Sequence, residues 1–222
     1  DTVLKGLTKI SEKQVGKLRK FIVERIAQLA LSNGRKTAFD FHHIDIDVLY
    51  SKLRGVGMGP SPKKKVCATG FRPHIAVDVD TGTLLVVEFR KASARGTTTV
   101  RKFASDYIIP IFNGLFETVY IDSEYTGKDV WNFILEGMNA DMTACLRQNA
   151  LVKKHRDIFL SKNEGKKGFW RYYDDDHEYT TETFPITWEY ISAKNKSKEL
   201  KLFCVVKRNN KKGSIRCFGT SK

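Results

Sequence analysis

The sequence predicts a mixed α/β fold, and three observations carry that expectation. Two strand patterns meet at Asp80-Thr81-Gly82, a strong hairpin signal. Helix and strand patterns then alternate from residue 97 to residue 149. After residue 150 the chain changes to short β-rich pieces between Lys-rich turns.

Residues 11–32 read as an amphipathic helix, with Leu18, Phe21, Ile22, Ile26 and Leu29 as its stripe and Asn33-Gly34 as its end. Residues 35–50, RKTAFDFHHIDIDVLY, read as a long strand rich in β-branched and aromatic side chains. Residues 51–68 have no periodicity and read as a Gly/Pro/Lys-rich loop. The hairpin strands occupy 70–90. Residues 97–114 read as a helix with Val100, Phe103, Tyr107 and Ile111 on one face, kinked or ended by Pro110. A strand at 117–121, a helix at 127–138 and a strand at 141–149 follow. Hairpin-linked strands beside a crossover unit give a mixed sheet with flanking helices. Three parts result: an N-terminal helical segment (1–34), a core (35–149) and a β-rich basic subdomain attached to the mixed sheet (150–222).

Composition narrows the function. The chain has 222 residues, 41% of them hydrophobic, enough for a packed core. Its net charge of +14 favours polyanionic partners, nucleic acid before anionic membrane. After residue 150, 17 Lys and Arg face 9 Asp and Glu, so this third of the chain holds eight of the fourteen surplus charges. There is no apolar run of about eighteen residues, hence no membrane span, and the start lacks the apolar core of a signal peptide. Cys67, Cys145, Cys204 and Cys217 show no CxxC spacing and read as reduced thiols of a cytosolic protein. The start without Met points to a fragment or a processed chain.

The chemistry centres on carboxylates. In VYIDSEYTGKDVW, Asp122 ends a short apolar strand, where open α/β sheets place ligands. The next helix has its own start signal in Thr126 with Asp129, so Asp122 is not needed as a cap and is either a solvated turn residue or part of a site. Asp40 lies in the first strand, and an unpaired carboxylate on a central strand needs a partner. If the first and fourth strands are neighbours, the two carboxylates repel, and a hard divalent cation, Mg²⁺ or Mn²⁺, relieves that repulsion. Asp45 and Asp47 compete with Asp40 for this role. His42 and His43 sit on opposite faces of one strand, so both cannot enter one site. Asp78 and Asp80 are explained by turn chemistry, and Asp174–Asp176 by a solvated turn. Lys63, Lys64 and Lys65 form an exposed basic loop suited to phosphate contacts.

GRKTAFDFHHI (34–44), TGFRPHIAVDVDTGTLL (69–85) and VYIDSEYTGKDVWNFILEGMNADMTACLRQN (119–149) resemble, in order and spacing, the RNase H-like core of DDE transposases of the bacterial insertion-sequence class. The resemblance covers roughly residues 10–222 and implies an RNase H-like mixed sheet in βββαβα order with a β-rich basic insertion subdomain. It gives Asp40 and Asp122 the first two metal-binding catalytic roles. The family's third acid, on a helix after the insertion, has no counterpart after residue 190. The chain is then truncated before the last catalytic helix, or one of Asp174, Asp175, Asp176, Glu178, Glu182 and Glu189 substitutes; truncation is preferred, and with it a fragment that does not cut DNA.

The expected function is metal-dependent DNA strand cleavage and strand transfer in transposition, with transposon ends and target DNA as partners and a homodimer on DNA as the assembly. The expected setting is the bacterial cytoplasm, associated with the nucleoid. Lys63, Lys64, Lys65 and Arg72 are the expected DNA contacts, made to the backbone together with the basic tail. The alternatives are an RNase H-like nuclease or resolvase and a catalytically inactive DNA-binding derivative.

Overall fold

The computed structural model describes residues 36–41, 44–45, 57–61, 66–93, 116–125, 127–191 and 197–222, with isolated positions from 13 to 25, at 98 and at 106. The strands are β1 (Lys36–Phe41), β2 (Ile44–Asp45), β3 (Gly57–Ser61), β4 (Val66–Asp78), β5 (Leu84–Lys91), β6 (Thr118–Ile121), β7 (Asp141–Leu146), β8 (Trp170–Asp174), β9 (His177–Thr180), β10 (Phe184–Ile191), β11 (Ser197–Asn209) and β12 (Ile215–Thr220). The helices are α1, which starts at Lys128–Asn132 and widens into a π-turn over Phe133–Gly137, and α2 (Ala150–Asn163).

All twelve strands join one mixed sheet. β4 pairs antiparallel with β1 along one edge and with β5 along the other. β2 keeps the register of β1 on β4: Phe41 faces His74, and three residues on Ile44 faces Phe71. The described parts of the predicted long strand at 35–50, β1 and β2, thus pair with β4 in one register. β6 adds parallel to β1, and β7 parallel to β6. Parallel neighbours need long crossovers, and residues 92–117 and 122–140 supply the two lengths of chain required. β12 then pairs antiparallel with β7, so the strands after residue 150 continue the same sheet through β11 to β9, β8 and β10.

Alternation divides the sheet into two faces. On β11, Leu200, Leu202, Cys204 and Val206 are buried, while Lys201 and Phe203 reach solvent. Burial alternates in the same way along β7 and β12. Both helices cover the apolar face. Trp131 of α1 meets Trp188 of β10 edge to face at 5.1 Å, and Phe159 of α2 stacks on Phe184 of β10 at 4.6 Å. The other face shows Tyr120, Lys201, Phe203 and Arg216 to solvent.

The hairpin at Asp80-Thr81-Gly82 forms as expected. Buried Asp78 accepts the N–H groups of Asp80 and Thr81 at 2.9 and 3.1 Å, and Gly82 takes a φ of 68° that favours glycine. Three expectations need correction. The Gly/Pro/Lys-rich stretch 51–68 contains β3, whose backbone pairs with β4 from Gly57–Gly70 to Ser61–Val66. Its glycines and proline mask the strand because a strand edge can form with little side-chain patterning. Helical periods do not vanish after residue 150, since α2 runs for 14 residues there. Only Val152, Phe159 and Leu160 are buried in it, a narrow stripe among lysines. Its cap, Asn149 accepting the Val152 N–H at 2.9 Å, is easily read as the end of the preceding strand. The N-cap position of α1 is Gly127, which makes no side-chain cap, rather than Thr126, which lies outside the described residues.

The helix expected at 97–114 falls almost wholly outside the described residues. Described positions from 13 to 25 are helical, and Leu18, Phe21 and Ile22 of the expected stripe are exposed. No helix among the described residues is long and apolar enough to cross a membrane.

The two-faced sheet predicts a contrast between neighbours. Leu202→Ala should cost about 2–5 kcal/mol by urea unfolding, because a fully buried side chain leaves a cavity. Phe203→Ala, on the open face, should stay within about 1 kcal/mol.

Candidate active site

Asp122 follows the last residue of β6, and the β1–β6 register sets its backbone neighbour. Lys36, Thr37, Ala38 and Phe39 pair with Thr118, Val119, Tyr120 and Ile121 in parallel. Asp40 is the next residue of β1, and Asp122 is the first residue after β6. Asp45, on β2, is five residues beyond Asp40 in register on β4, about 16 Å away at 3.3 Å per residue. Asp47, His42 and His43 lie outside the described residues.

The turn that carries Asp122 is clamped from three directions. Its own backbone carbonyl accepts the Tyr125 N–H at 2.9 Å, closing a one-turn 3₁₀ segment at Ser123–Tyr125. Its Oδ2 accepts the Glu124 N–H at a long 3.4 Å, so Asp122 does cap this turn, though weakly. Tyr125 is fully buried, and its hydroxyl bonds His74 Nδ1 of β4 at 2.8 Å. Arg147, just past β7, donates from Nε to the Ser123 carbonyl at 2.9 Å and from Nη2 to Glu124 at 3.2 Å. Arg72 of β4 lies 3.9 Å from the same carboxylate.

Burial sets the chemistry beneath the turn. His74 is fully buried, and desolvation together with the nearby Arg72 and Arg90 charges lowers its pKa to about 4. It is neutral at physiological pH and serves as a hydrogen-bonding post for Tyr125. On the other side of Asp122, the parallel β6–β7 register brings up Cys145. Burial raises the Cys145 thiol, Arg216 opposes that shift, and the Asp122 charge adds to it.

Asp122 itself is half-buried and forms no ion pair among the described residues. Its donor set is hard oxygen, which suits Mg²⁺ or Mn²⁺. Among the described residues no group of three His, Cys, Asp or Glu side chains is placed to hold a metal.

The substitute third acids stand elsewhere. Glu178 on β9 and Glu189 on β10 are four strands from β6, about 19 Å across the sheet. Asp174 binds His177 at 2.7 Å, Asp176 binds Lys211 at 2.6 Å, Glu178 binds Arg208 at 2.6 Å, and Glu182 lies 3.6 Å from Lys166. Asp175 accepts the Tyr172 hydroxyl. Backbone and Arg208 hydrogen bonds hold Asp174 and Glu178 below their usual pKa values, as expected of ordinary surface partners.

Residues 43–200 match the family model of the transposase DDE domain. The chain belongs to that family. Enzymes of this family depend in general on a divalent metal. A solved piggyBac transposase, in a synaptic complex with hairpin DNA, resembles this transposase domain at a TM-score of 0.49 and 11% identity, over 90% of this chain and 37% of that one. The chain thus spans just over a third of the length of that protein. No curated protein sequence matches it at a significant level.

Within this transposase domain, Arg72, expected as a DNA contact, is buried. Its side chain is only 7% exposed and turns inward to Glu124. The alternation that put it on a strand could not say which face was open. Lys63, Lys64 and Lys65 lie outside the described residues. The clamp formed by His74, Tyr125, Glu124 and Arg147 was not foreseen. Its members are 51 and 23 residues apart in sequence, and no local pattern links them.

Two outcomes follow from the clamp. Folded His74 stays neutral down to about pH 4, whereas in the unfolded chain it takes up a proton near its ordinary value of 6.5. The unfolded state therefore binds more protons in this window, and stability falls as pH drops through it. Urea unfolding should show about 2 kcal/mol less of His74-dependent stability at pH 5 than at pH 7, a component that His74→Gln removes. Tyr125→Phe deletes the buried hydroxyl and should cost about 1–3 kcal/mol in the same measurement.

Proposed function

We propose that this chain is the RNase H-like catalytic core of a DDE transposase, with Asp40 and Asp122 as its first two metal-holding acids. The observation that supports the proposal is the parallel β1–β6 register, since Asp40 follows the last paired residue of β1 and Asp122 the last of β6. The spatial order β5-β4-β1-β6-β7, three antiparallel strands followed by two parallel ones, supports the RNase H-like assignment. Family membership supports DNA as the substrate.

Mg²⁺ typically takes one or two carboxylates and completes its shell with water and substrate phosphates, so this pair fits it, with Mn²⁺ as a close substitute. A bound divalent cation supplies Lewis acidity and activation of a nucleophilic oxygen. The chain's own part is to hold two carboxylates at fixed spacing, with the 123–125 clamp keeping Asp122 in place. The overall reaction is attack of a water oxygen on a phosphodiester, which breaks the bond to the leaving 3′-oxygen. That 3′-hydroxyl then attacks a phosphodiester of target DNA and displaces the oxygen of the cut target strand.

A second reading, a DNA-binding derivative without catalysis, is favoured by one observation: the candidate third acids on strands stand four or more strands from β6, and Asp176 and Glu178 are bound to Lys211 and Arg208.

Titration with Mn²⁺, followed by its electron paramagnetic resonance signal, tests the acid pair. Loss of outer-shell partners alone costs about 10–100-fold in metal affinity. Asp40→Asn and Asp122→Asn should therefore each weaken binding by at least about tenfold. Equal Mn²⁺ binding by wild type and both variants would sink the pairing. Nicking of supercoiled plasmid with Mg²⁺ separates the two readings. Metal-dependent cleavage lost in both variants supports the enzyme, and DNA binding without cleavage supports the inactive derivative.

A further inference from the structure

The open face of the sheet holds a second feature, three strands from Asp122. β9, β11 and β12 enclose a cavity of about 240 Å³ lined by Lys207, Lys212, Arg216, His177, Asn209 and Ser214, with Phe218 at its base. Three of these side chains are cationic, and none of the three forms an ion pair with a carboxylate among the described residues. The neighbouring cations differ in this respect: Lys211 is bound to Asp176, and Arg208 to Glu178. The lining is also built to hold its shape. His177 is fixed by Asp174 at 2.7 Å, and its other ring nitrogen accepts from Asn209 at 2.9 Å. Asn209 Oδ1 in turn accepts the Lys212 N–H, ordering the turn that carries Lys212 and Ser214. Lys207 lies over the rings of Tyr173 and Tyr179, each at 5.3 Å, which sets its ammonium at the cavity.

We infer that this pocket binds one phosphate of a nucleic-acid backbone, an inference that rests on the DNA reading above. Three cations with hydrogen-bond donors from Asn209 and Ser214 match the charge and donor needs of a phosphodiester. One strand, β7, lies between the pocket and β6, and its Cys145 pairs with Phe218 of the pocket. Cys145 is acted on by Asp122 from one side and by Arg216 and Lys207 from the other. Three strand spacings separate β6 from β11, about 14 Å, which a DNA strand spans in about four nucleotides. A strand whose reacting phosphate sits at Asp40 and Asp122 can thus lay a later phosphate in the pocket. The contact reads no bases, since phosphates carry no sequence.

The test is a titration of the purified protein with a short DNA duplex at several salt concentrations. Lys207→Ala/Arg216→Ala should lower the slope of log affinity against log salt by about 0.9, the value for one phosphate. Lys212→Glu, on an exposed turn where folding is not at risk, should lower it in the same direction. Lys211→Ala, one residue away but paired outward to Asp176, should leave it unchanged. A parallel titration with inorganic phosphate, followed by the amide NMR signals of Gly213 and Ser214, separates the two sources of phosphate. Duplex binding with an unchanged slope in both pocket variants overturns the pocket and leaves the DNA reading intact. Failure of wild type to bind duplex overturns the DNA reading and the pocket's backbone assignment together. Amide shifts with inorganic phosphate but none with duplex assign the pocket to a free anion and also overturn the inference.

Discussion

The arrangement depends on one pairing, the parallel ladder of β1 on β6. Its four residue pairs fix which residues stand abreast at the strand ends. A slip of one residue would move every β6 side chain to the opposite face. Val119 and Ile121 are buried while Tyr120 is exposed, so such a slip would expose two apolar side chains and bury a tyrosine. The hydrophobic pattern of β6 therefore locks the register, and the register sets where Asp122 leaves the sheet beside the end of β1. Core packing and site geometry are here the same constraint.

The clamp on residues 123–125 solves the problem this creates. A carboxylate at the end of a strand sits where the ladder no longer holds the backbone. The chain restores rigidity from both neighbouring elements: β4 supplies His74 and Arg72, and the exit of β7 supplies Arg147. Neutral His74 matters to this arrangement. Burial first, and then the nearby Arg72 and Arg90 charges, keep the imidazole from taking up a proton, so its pKa is depressed. Glu124 takes up the positive charge, and Asp122 is left without an ion pair among the described residues.

Much of this was legible in the chain, in proportion to how local the cause was. The hairpin at Gly82 and strands β5, β6 and β7 announced themselves through turn chemistry and short apolar runs. The strand that carries Asp40 and the strand that Asp122 follows were legible as apolar runs. Strand β3 was not, because Gly-Met-Gly-Pro-Ser offers no alternation and owes its form to the β4 edge beside it. Helix α2 was hidden by lysines that a solvent-facing helix tolerates. The burial of Arg72 was not legible, for a deeper reason. A basic residue in a basic chain invites a phosphate, yet the partner that claims it, Glu124, is brought near only by the fold.

The same argument gives the net charge a direction. A surplus of eight positive charges after residue 150 says nothing by itself about where a polyanion would lie. In the folded chain five of the acids in this segment are matched with lysine or arginine: Asp176 with Lys211, Glu164 and Glu178 with Arg208, Glu182 with Lys166 and Asp157 with Arg156. These matched pairs cancel, and the unmatched charge is what a partner meets. Lys207 and Arg216 face each other in register on β11 and β12, on the side of the sheet that the helices leave open. Screening acts over about 10 Å at moderate salt, less than the separation between this cluster and the acids. The cationic cluster and the Asp122 turn therefore keep opposite local potentials on one surface of the sheet.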